Sequence, residues 1–233
     1  MNASSGALRP LAAMILAAGR GERMRPLTDT TPKPLLRVRG ETLIERQVRA
    51  CARAQIRRIV VNLWWLGAQI REHLGDGSRY GVTIVYSEEQ PQALETAGGI
   101  IRALPHLLPG PFAVVNGDVY SDYPLDTLRL PANCDANLVL VPNPAQHPRG
   151  DFGFAAGRAL AEAAQRWTFA GIAIYRSSFF AGYADGPQAL KPLMVRSMNA
   201  GRCASEIFTG VWEDVGTPER LRALNAGLDG PLG

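Results

Sequence analysis

Short apolar runs that stop at glycine or polar clusters alternate, through the first half of the chain, with stretches whose apolar positions recur at helical spacing. Residues 12–17 form a continuous apolar run ending at Gly19, the pattern of a strand buried on both faces of a parallel sheet. Residues 58–62, 82–86 and 112–115 repeat that pattern. Between them, residues 41–54 place Leu43, Ile44, Val48 and Cys51 on one helical face, and residues 66–74 and 96–104 predict two more helices. Strand and helix in alternation predict an α/β fold, a doubly wound, mostly parallel sheet with helices on both faces. The second half changes character. Residues 137–141, 152–155, 169–175 and 205–212 look strand-like with less helix between them, which predicts a mixed extension of the same sheet. Helices are expected over 190–200 and 218–228, the latter with Thr217 as N-cap and Pro218 in its first turn. Residues 1–10 read as a loose tail and 11–233 as a single domain. No internal repeat is present.

Composition narrows the class. A chain of 233 residues with 46% hydrophobic and 20% charged residues is globular, which excludes a disordered or fibrous protein. Lys and Arg number 25 against 21 Asp and Glu, so 25 − 21 leaves +4, and no run of five like charges marks a nucleic-acid or lipid partner. A mild positive excess suits an anionic small molecule. Cys51, Cys134 and Cys203 lie far apart with no Cys-x-x-Cys spacing, which argues against a disulfide framework or zinc site and for reduced thiols in a cytoplasmic protein. No apolar stretch approaches the ~20 residues that span a bilayer. The run at 11–18 has only Arg9 as a basic flank, so it reads as a strand and not as a signal segment, and a soluble protein is expected.

Candidate chemistry collects where the expected strands end, the edge at which doubly wound sheets bind ligands. Residues 19–34 lack any apolar period, and a loop of that length in a compact domain usually carries function. Gly19 and Gly21 let its backbone close around phosphate oxygens, although the third glycine of a dinucleotide fingerprint and the Gly-Lys-Ser/Thr of a P-loop are both missing. Arg23 and Lys33 supply cations in the same loop, and Pro32 and Pro34 restrict the backbone on either side of Lys33. Asp118 follows the strand ending at Asn116, and Asp214 precedes the Thr217 N-cap. Two such carboxylates, if they converge, form an oxygen site suited to Mg²⁺. His73, His106 and His147 are scattered, Glu88-Glu89 reads as surface charge, and Trp64-Trp65 as packing or a pocket wall. No Ser-His-Asp or Cys-His set is evident.

The stretch "MILAAGRGERMRPLTDTTPKPLL" resembles the signature of the sugar-1-phosphate nucleotidylyltransferases, Gly-x-Gly-x-Arg-Leu/Met-x-Pro-Leu-Thr followed by Pro-Lys-Pro. "LETAGGI", "VVNGDV" and "WEDVGTPERL" follow in the family's order, so the resemblance spans nearly the whole chain. Within the family, "NGDVYSDY", "LVLVPNPAQHPRGDF" and "TFAGIAIY" are most similar to the branch that acts on UTP and N-acetylmuramate-1-phosphate. The resemblance implies a Rossmann-like nucleotidyltransferase fold, with residues 11–135 as its nucleotide half and 136–233 as its sugar half.

It implies that Ala17, Ala18, Gly19 and Gly21 contact the nucleotide, and that Arg23 and Lys33 hold the triphosphate and serve catalysis. Glu95, Thr96, Gly98 and Gly99 would border base and ribose, Asp118 and Asp214 would bind Mg²⁺, and Asn116, Asp151 and Gly171 would meet the sugar phosphate. Small-molecule substrates, a monomer, and neither nucleic acid nor membrane are expected as partners. One departure stands out. Many relatives carry a Glu-Lys-Pro segment whose lysine contacts the sugar phosphate, and here that region, "AAGRALAEAAQRWTFAGI", has no lysine. For an acidic sugar the expected cation is Arg149, just before Asp151, with Arg202 and Lys191 as alternatives.

Overall fold

The computed structural model describes residues 6–227. In chain order its first half contains β1 (Ala12–Leu16), β2 (Arg37–Val38), β3 (Glu41–Thr42), α1 (Leu43–Arg53), β4 (Arg58–Leu63), α2 (Gly67–Leu74), β5 (Thr83–Glu88), α3 (Glu95–Ala103), β6 (Phe112–Asn116) and β7 (Val119–Ser121). There follow β8 (Ala136–Val141), β9 (Gly153–Ala155), β10 (Arg158–Leu160), β11 (Thr168–Tyr175), α4 (Leu190–Asn199), β12 (Cys203–Ile207), β13 (Trp212–Asp214) and α5 (Pro218–Ala226).

One nine-stranded sheet runs β5-β4-β1-β6-β11-β8-β12-β10-β9. Its first four strands are parallel, as expected of apolar runs linked by helices, while β11 lies antiparallel between β6 and β8 and makes the sheet mixed. The period-2 alternation of β1 explains the two helical layers. Ala13 and Ile15 enter a core with Ile44, Val48 and Cys51 of α1 and Ile70 and Leu74 of α2. Ala12 and Met14 enter the opposite core with Ala97, Ile100 and Ala103 of α3 and Leu193, Met194 and Met198 of α4. Full burial of each large aliphatic in these layers stabilises the fold by roughly 1.5–3 kcal/mol.

Several local features differ from the expectation. Helix α1 starts at Leu43 because Thr42 forms a capping box: its Oγ1 accepts the Glu45 N–H at 3.2 Å, and its own N–H donates to Glu45 Oε2 at 3.3 Å. The expected strand over 205–212 is two strands. β12 joins the large sheet, and β13 leaves it to pair antiparallel with β7. Strand β10, a short antiparallel partner of β12, was not anticipated. The 19–34 loop winds through three short 3-10 turns at Glu22–Met24, Leu27–Asp29 and Lys33–Leu35. Of the expected tail, residues 1–5 lie outside the described residues, and Leu8 exchanges two backbone hydrogen bonds with Leu130. Leu228, the expected end of the last helix, also lies outside them. Among the described residues no helix is long and apolar enough to cross a membrane.

Candidate active site

A cleft opens beyond the carboxyl ends of the parallel strands. Its first compartment, about 250 Å³, is lined by Ala17, Ala18 and Gly19 after β1, by Lys33, by Glu95 and Thr96 at the start of α3, and by Asn116 and Asp118. A chain of hydrogen bonds fixes its floor. The Ala17 N–H donates to Asn62 Oδ1 at 2.7 Å, Asn62 Nδ2 donates to Glu89 Oε1 at 2.6 Å, and the Leu94 N–H donates to Glu89 Oε2 at 2.8 Å. Glu89 is only 2% exposed and joins β4, the end of β5 and the entry to α3, so it is a buried keystone and not the surface charge expected from Glu88-Glu89. Glu88 does lie at the surface, paired with Arg71 at 2.5 Å. The phosphate-loop candidate is held from its outer side. Trp65 Nε1–H donates to the Thr28 carbonyl at 3.0 Å, the Arg20 guanidinium lies 3.7 Å over the Trp65 ring, and Gln69 donates to the Thr30 carbonyl. Gly21, at φ +69°, turns the loop so closely that a Cβ there would come within 3.2 Å of Lys33 Cβ.

The second compartment, about 410 Å³, answers whether the two aspartates converge. They do, through the β7–β13 ladder. Asp214 pairs with Val119, the residue after Asp118, and the Val215 N–H donates to the Asp118 carbonyl at 3.2 Å. Both carboxylates line this compartment with Arg23, Arg220, Asn116 and Gly171. The Trp212 indole N–H anchors β13 to the Ala170 carbonyl at 2.9 Å.

Each carboxylate faces a cation: Lys33 Nζ donates to Asp118 Oδ2, and Arg220 Nη1 lies 3.0 Å from Asp214 Oδ2 and donates to the Asp214 carbonyl at 2.7 Å. Lys33 is 8% exposed, whereas Arg23 is exposed. Arg220 reaches back because Thr217 caps α5 through the Arg220 N–H at 3.3 Å, which puts its side chain in the first turn beside β13. Burial raises the carboxyl of neighbouring Glu213 above its ordinary value, with the Arg220 guanidinium opposing.

A third compartment, about 510 Å³, lies toward α4 and is lined by Glu95, Thr96, Asn116, Asp151, Phe152 and Lys191, among others. Asn116 borders all three. Gly171, at φ +71° in an irregular stretch of β11, makes room for it: a Cβ there would lie 2.5 Å from Asn116 Nδ2. Asp151 accepts the Phe169 N–H at 2.9 Å, and His147 Nε2 lies 3.3 Å from its Oδ1.

The structure thus gathers Ala17, Ala18, Gly19, Lys33, Glu95, Thr96, Asn116, Asp118, Asp151, Gly171, Asp214 and Arg23 around one cleft. Gly98 and Gly99 do not line it. They are buried behind it, Gly98 against the segment of Gly186 and Gln188, and Gly99 against Glu89 and Asn62. Arg149 lies outside it too, in a separate hollow with Pro148, Ala164 and Arg166. The backbone turn at Gly150 (φ +60°) aims Asp151 into the cleft and Arg149 away from it. Arg202 is committed to Asp135 in a two-pronged pair, at 2.6 Å for one prong. Asn62, Glu89 and Arg220 line the site as well; Arg220 stands inside the segment WEDVGTPERL, and no role for any of the three is evident from the sequence.

A match to the nucleotidyl transferase family covers residues 12–229. The chain belongs to that family. Among similar proteins, an N-acetylmuramate alpha-1-phosphate uridylyltransferase of Neisseria meningitidis is 48% identical over 92% of this chain and 96% of its own. One from Caulobacter vibrioides is 33% identical over 94% and 97%. A sucrose-bound structure from Bacillus anthracis, described as a glucose-1-phosphate thymidylyltransferase, superposes with a TM-score of 0.80 at 20% identity over 95% of this chain and 97% of its own, and supports the fold.

A divalent metal in this cleft would need hard oxygen donors. Asp118 and Asp214 offer hard oxygen donors in one compartment, and among the described residues no third His, Cys, Asp or Glu completes a protein cage. That donor set fits a cation that keeps several waters and takes its remaining ligands from phosphate oxygens.

Proposed function

We propose that the protein joins UTP to N-acetylmuramate-1-phosphate, giving UDP-N-acetylmuramate and pyrophosphate. The reading rests on one observation above the rest: two carboxylate–cation pairs, Lys33–Asp118 and Arg220–Asp214, stand at the glycine-loop compartment and its neighbour, which share Asn116 and Asp118. The relatives from Neisseria and Caulobacter, matched over nearly their full lengths, supply the substrate names. In this reading residues 11–135 hold the nucleotide, residues 136–233 complete the sugar side, and the protein works as a cytoplasmic monomer that returns a recycled cell-wall sugar to activated form.

A phosphate oxygen of the sugar 1-phosphate forms the new bond to the α-phosphorus of UTP, and the bond from that phosphorus to the α–β bridging oxygen breaks. Pyrophosphate takes the electron pair and leaves in line. The nucleophile is already anionic, so no general base is needed, and positioning with charge neutralisation carries the rate. The backbone around Ala17, Ala18 and Gly19 seats the nucleotide, Glu95 and Thr96 border base and ribose, and Lys33 and Arg23 offset charge on the triphosphate. Mg²⁺, held by Asp118 and Asp214, would draw the phosphate oxygens together and lower their mutual repulsion. Arg220 takes the place of the lysine missing from the Glu-Lys-Pro segment and meets the sugar phosphate beside Asn116 and Gly171.

Pyrophosphate release measured over the four nucleoside triphosphates and a panel of sugar 1-phosphates tests the reading. UTP with N-acetylmuramate-1-phosphate should give the highest kcat/KM. A higher value for GTP with mannose-1-phosphate or for dTTP with glucose-1-phosphate would refute it, and no turnover with any pair would favour a nucleotide-sugar-binding regulatory subunit.

A further inference from the structure

Resting on the proposed substrate class, we infer that Lys191 is the residue that selects a sugar bearing a carboxylate, and that the third compartment is the subsite for that acidic, alkyl-bearing substituent. The compartment shares Asn116 with the nucleotide and phosphate compartments and Phe169 with the phosphate compartment. A sugar whose phosphate lies near Asn116 and Gly171 therefore has room for a ring substituent toward α4. There it meets an apolar wall of Phe152, Leu190 and Met194 and the ammonium group of Lys191, which stands 5.7 Å from the centroid of the Phe152 ring. A methyl group against that wall and a carboxylate beside that ammonium describe a lactyl ether.

The charges around the compartment make Lys191 decisive. Its other ionisable wall groups are Glu95 and Asp151, both acidic. Asp151 already serves the Phe169 N–H and faces His147. Without a cation at 191 a carboxylate would enter an acidic hollow and be repelled, whereas a neutral acetamido sugar would not. Among the described residues Lys191 forms no ion pair, so its charge is available. The other cations of this region are engaged elsewhere. Arg202 holds Asp135, Arg196 donates to the Phe179 carbonyl at 2.6 Å, Arg176 donates to the Cys134 and Ala132 carbonyls, and Arg149 lies in the outer hollow.

The test compares wild type, Lys191→Ala and Lys191→Arg with N-acetylmuramate-1-phosphate and N-acetylglucosamine-1-phosphate, which differ by the lactyl group. Both UTP-dependent pyrophosphate release and calorimetric binding of each sugar phosphate are measured. The expected result is that Lys191→Ala lowers the acidic-to-neutral ratio of kcat/KM about tenfold or more, through KM for the acidic sugar, that Lys191→Arg restores most of the ratio, and that added salt erodes the wild-type preference. An unchanged ratio in Lys191→Ala, or equal loss for both sugars, overturns the inference. The binding arm keeps the two readings apart. A wild type that binds the acidic sugar more tightly in a Lys191-dependent way but transfers no uridylyl group would sink the proposed reaction and leave the subsite standing. Turnover with a binding ratio indifferent to Lys191 would do the reverse.

Discussion

Replacing Glu89 by Gln changes one atom's chemistry and almost no volume, yet the structure predicts a large effect. Both oxygens of Glu89 accept hydrogen bonds, from Asn62 Nδ2 at 2.6 Å and from the Leu94 N–H at 2.8 Å, in a site only 2% exposed. Glutamine has one acceptor oxygen, so its NH₂ must face one of these two donors. Asn62 cannot rotate to help, because its Oδ1 is held by the Ala17 N–H at 2.7 Å. Gly99 packs directly against the carboxylate, where a Cβ would clash with Glu89 Oε1. One buried donor left without an acceptor costs about 1–3 kcal/mol, and two opposed donors add to it, so a loss of about 2–3 kcal/mol is expected. For a domain of this size each kcal/mol moves Tm by roughly 2–4 °C, which places the variant about 4–12 °C below wild type. Because the same chain of bonds positions Ala17, KM for UTP should rise as well. Thermal unfolding and steady-state kinetics with UTP varied check both effects. A Tm within about 1 °C of wild type with an unchanged KM would refute the keystone role.

Asp118→Asn and Asp214→Asn should each remove most turnover while the chain still unfolds cooperatively, since each keeps its volume but deletes a negative oxygen donor; near wild-type kcat at low Mg²⁺ in either variant would show that residue is not a ligand. Lys33→Ala should lower kcat/KM for UTP by roughly 10²-fold or more, because its ammonium is buried on Asp118, while Arg23→Ala should lose less because its side chain is exposed; equal effects, seen with UTP varied, would contradict that ranking. Arg220→Gln should lower kcat/KM roughly 10- to 10²-fold with the sugar phosphate varied, and an unchanged value would remove Arg220 from the phosphate site.

What could be read from the chain and what could not divides along physical lines. The parallel strands were legible because a strand buried on both faces is a near-continuous apolar run, as residues 12–16 and 59–61 are. Asp118 stood out because it follows such a run directly. Strands β7 and β13 are three residues each, too short to carry a period, and their pairing brings together residues nearly a hundred positions apart. Convergence of Asp118 and Asp214 is therefore a tertiary fact. Arg220 was hidden for the same reason, since its role comes from the cap at Thr217 folding α5 back on β13. Asn62 reads as the polar end of a strand and Glu89 as surface charge, and only burial between β1, β4 and α3 turns them into a framework.

The displacement of Arg149 shows how a small backbone feature redirects a chemical assignment. Arg149 and Asp151 flank one glycine, and a strand-like backbone would have sent both side chains to the same side. Gly150 instead takes φ +60°, and the segment around it is tied down by Asn143, whose amide donates to the Arg166 carbonyl at 2.9 Å. Asp151 then turns inward to the Phe169 N–H, and Arg149 turns outward beside Arg166. The loop reaches the cleft with an acid and without its base. A cation for an acidic sugar has to come from a different element, and the first turn of α4 brings Lys191 to the compartment that Asp151 lines. Sequence neighbours of a site residue are thus poor candidates for the site wherever a left-handed glycine separates them, and better ones lie on whichever element closes the same cavity.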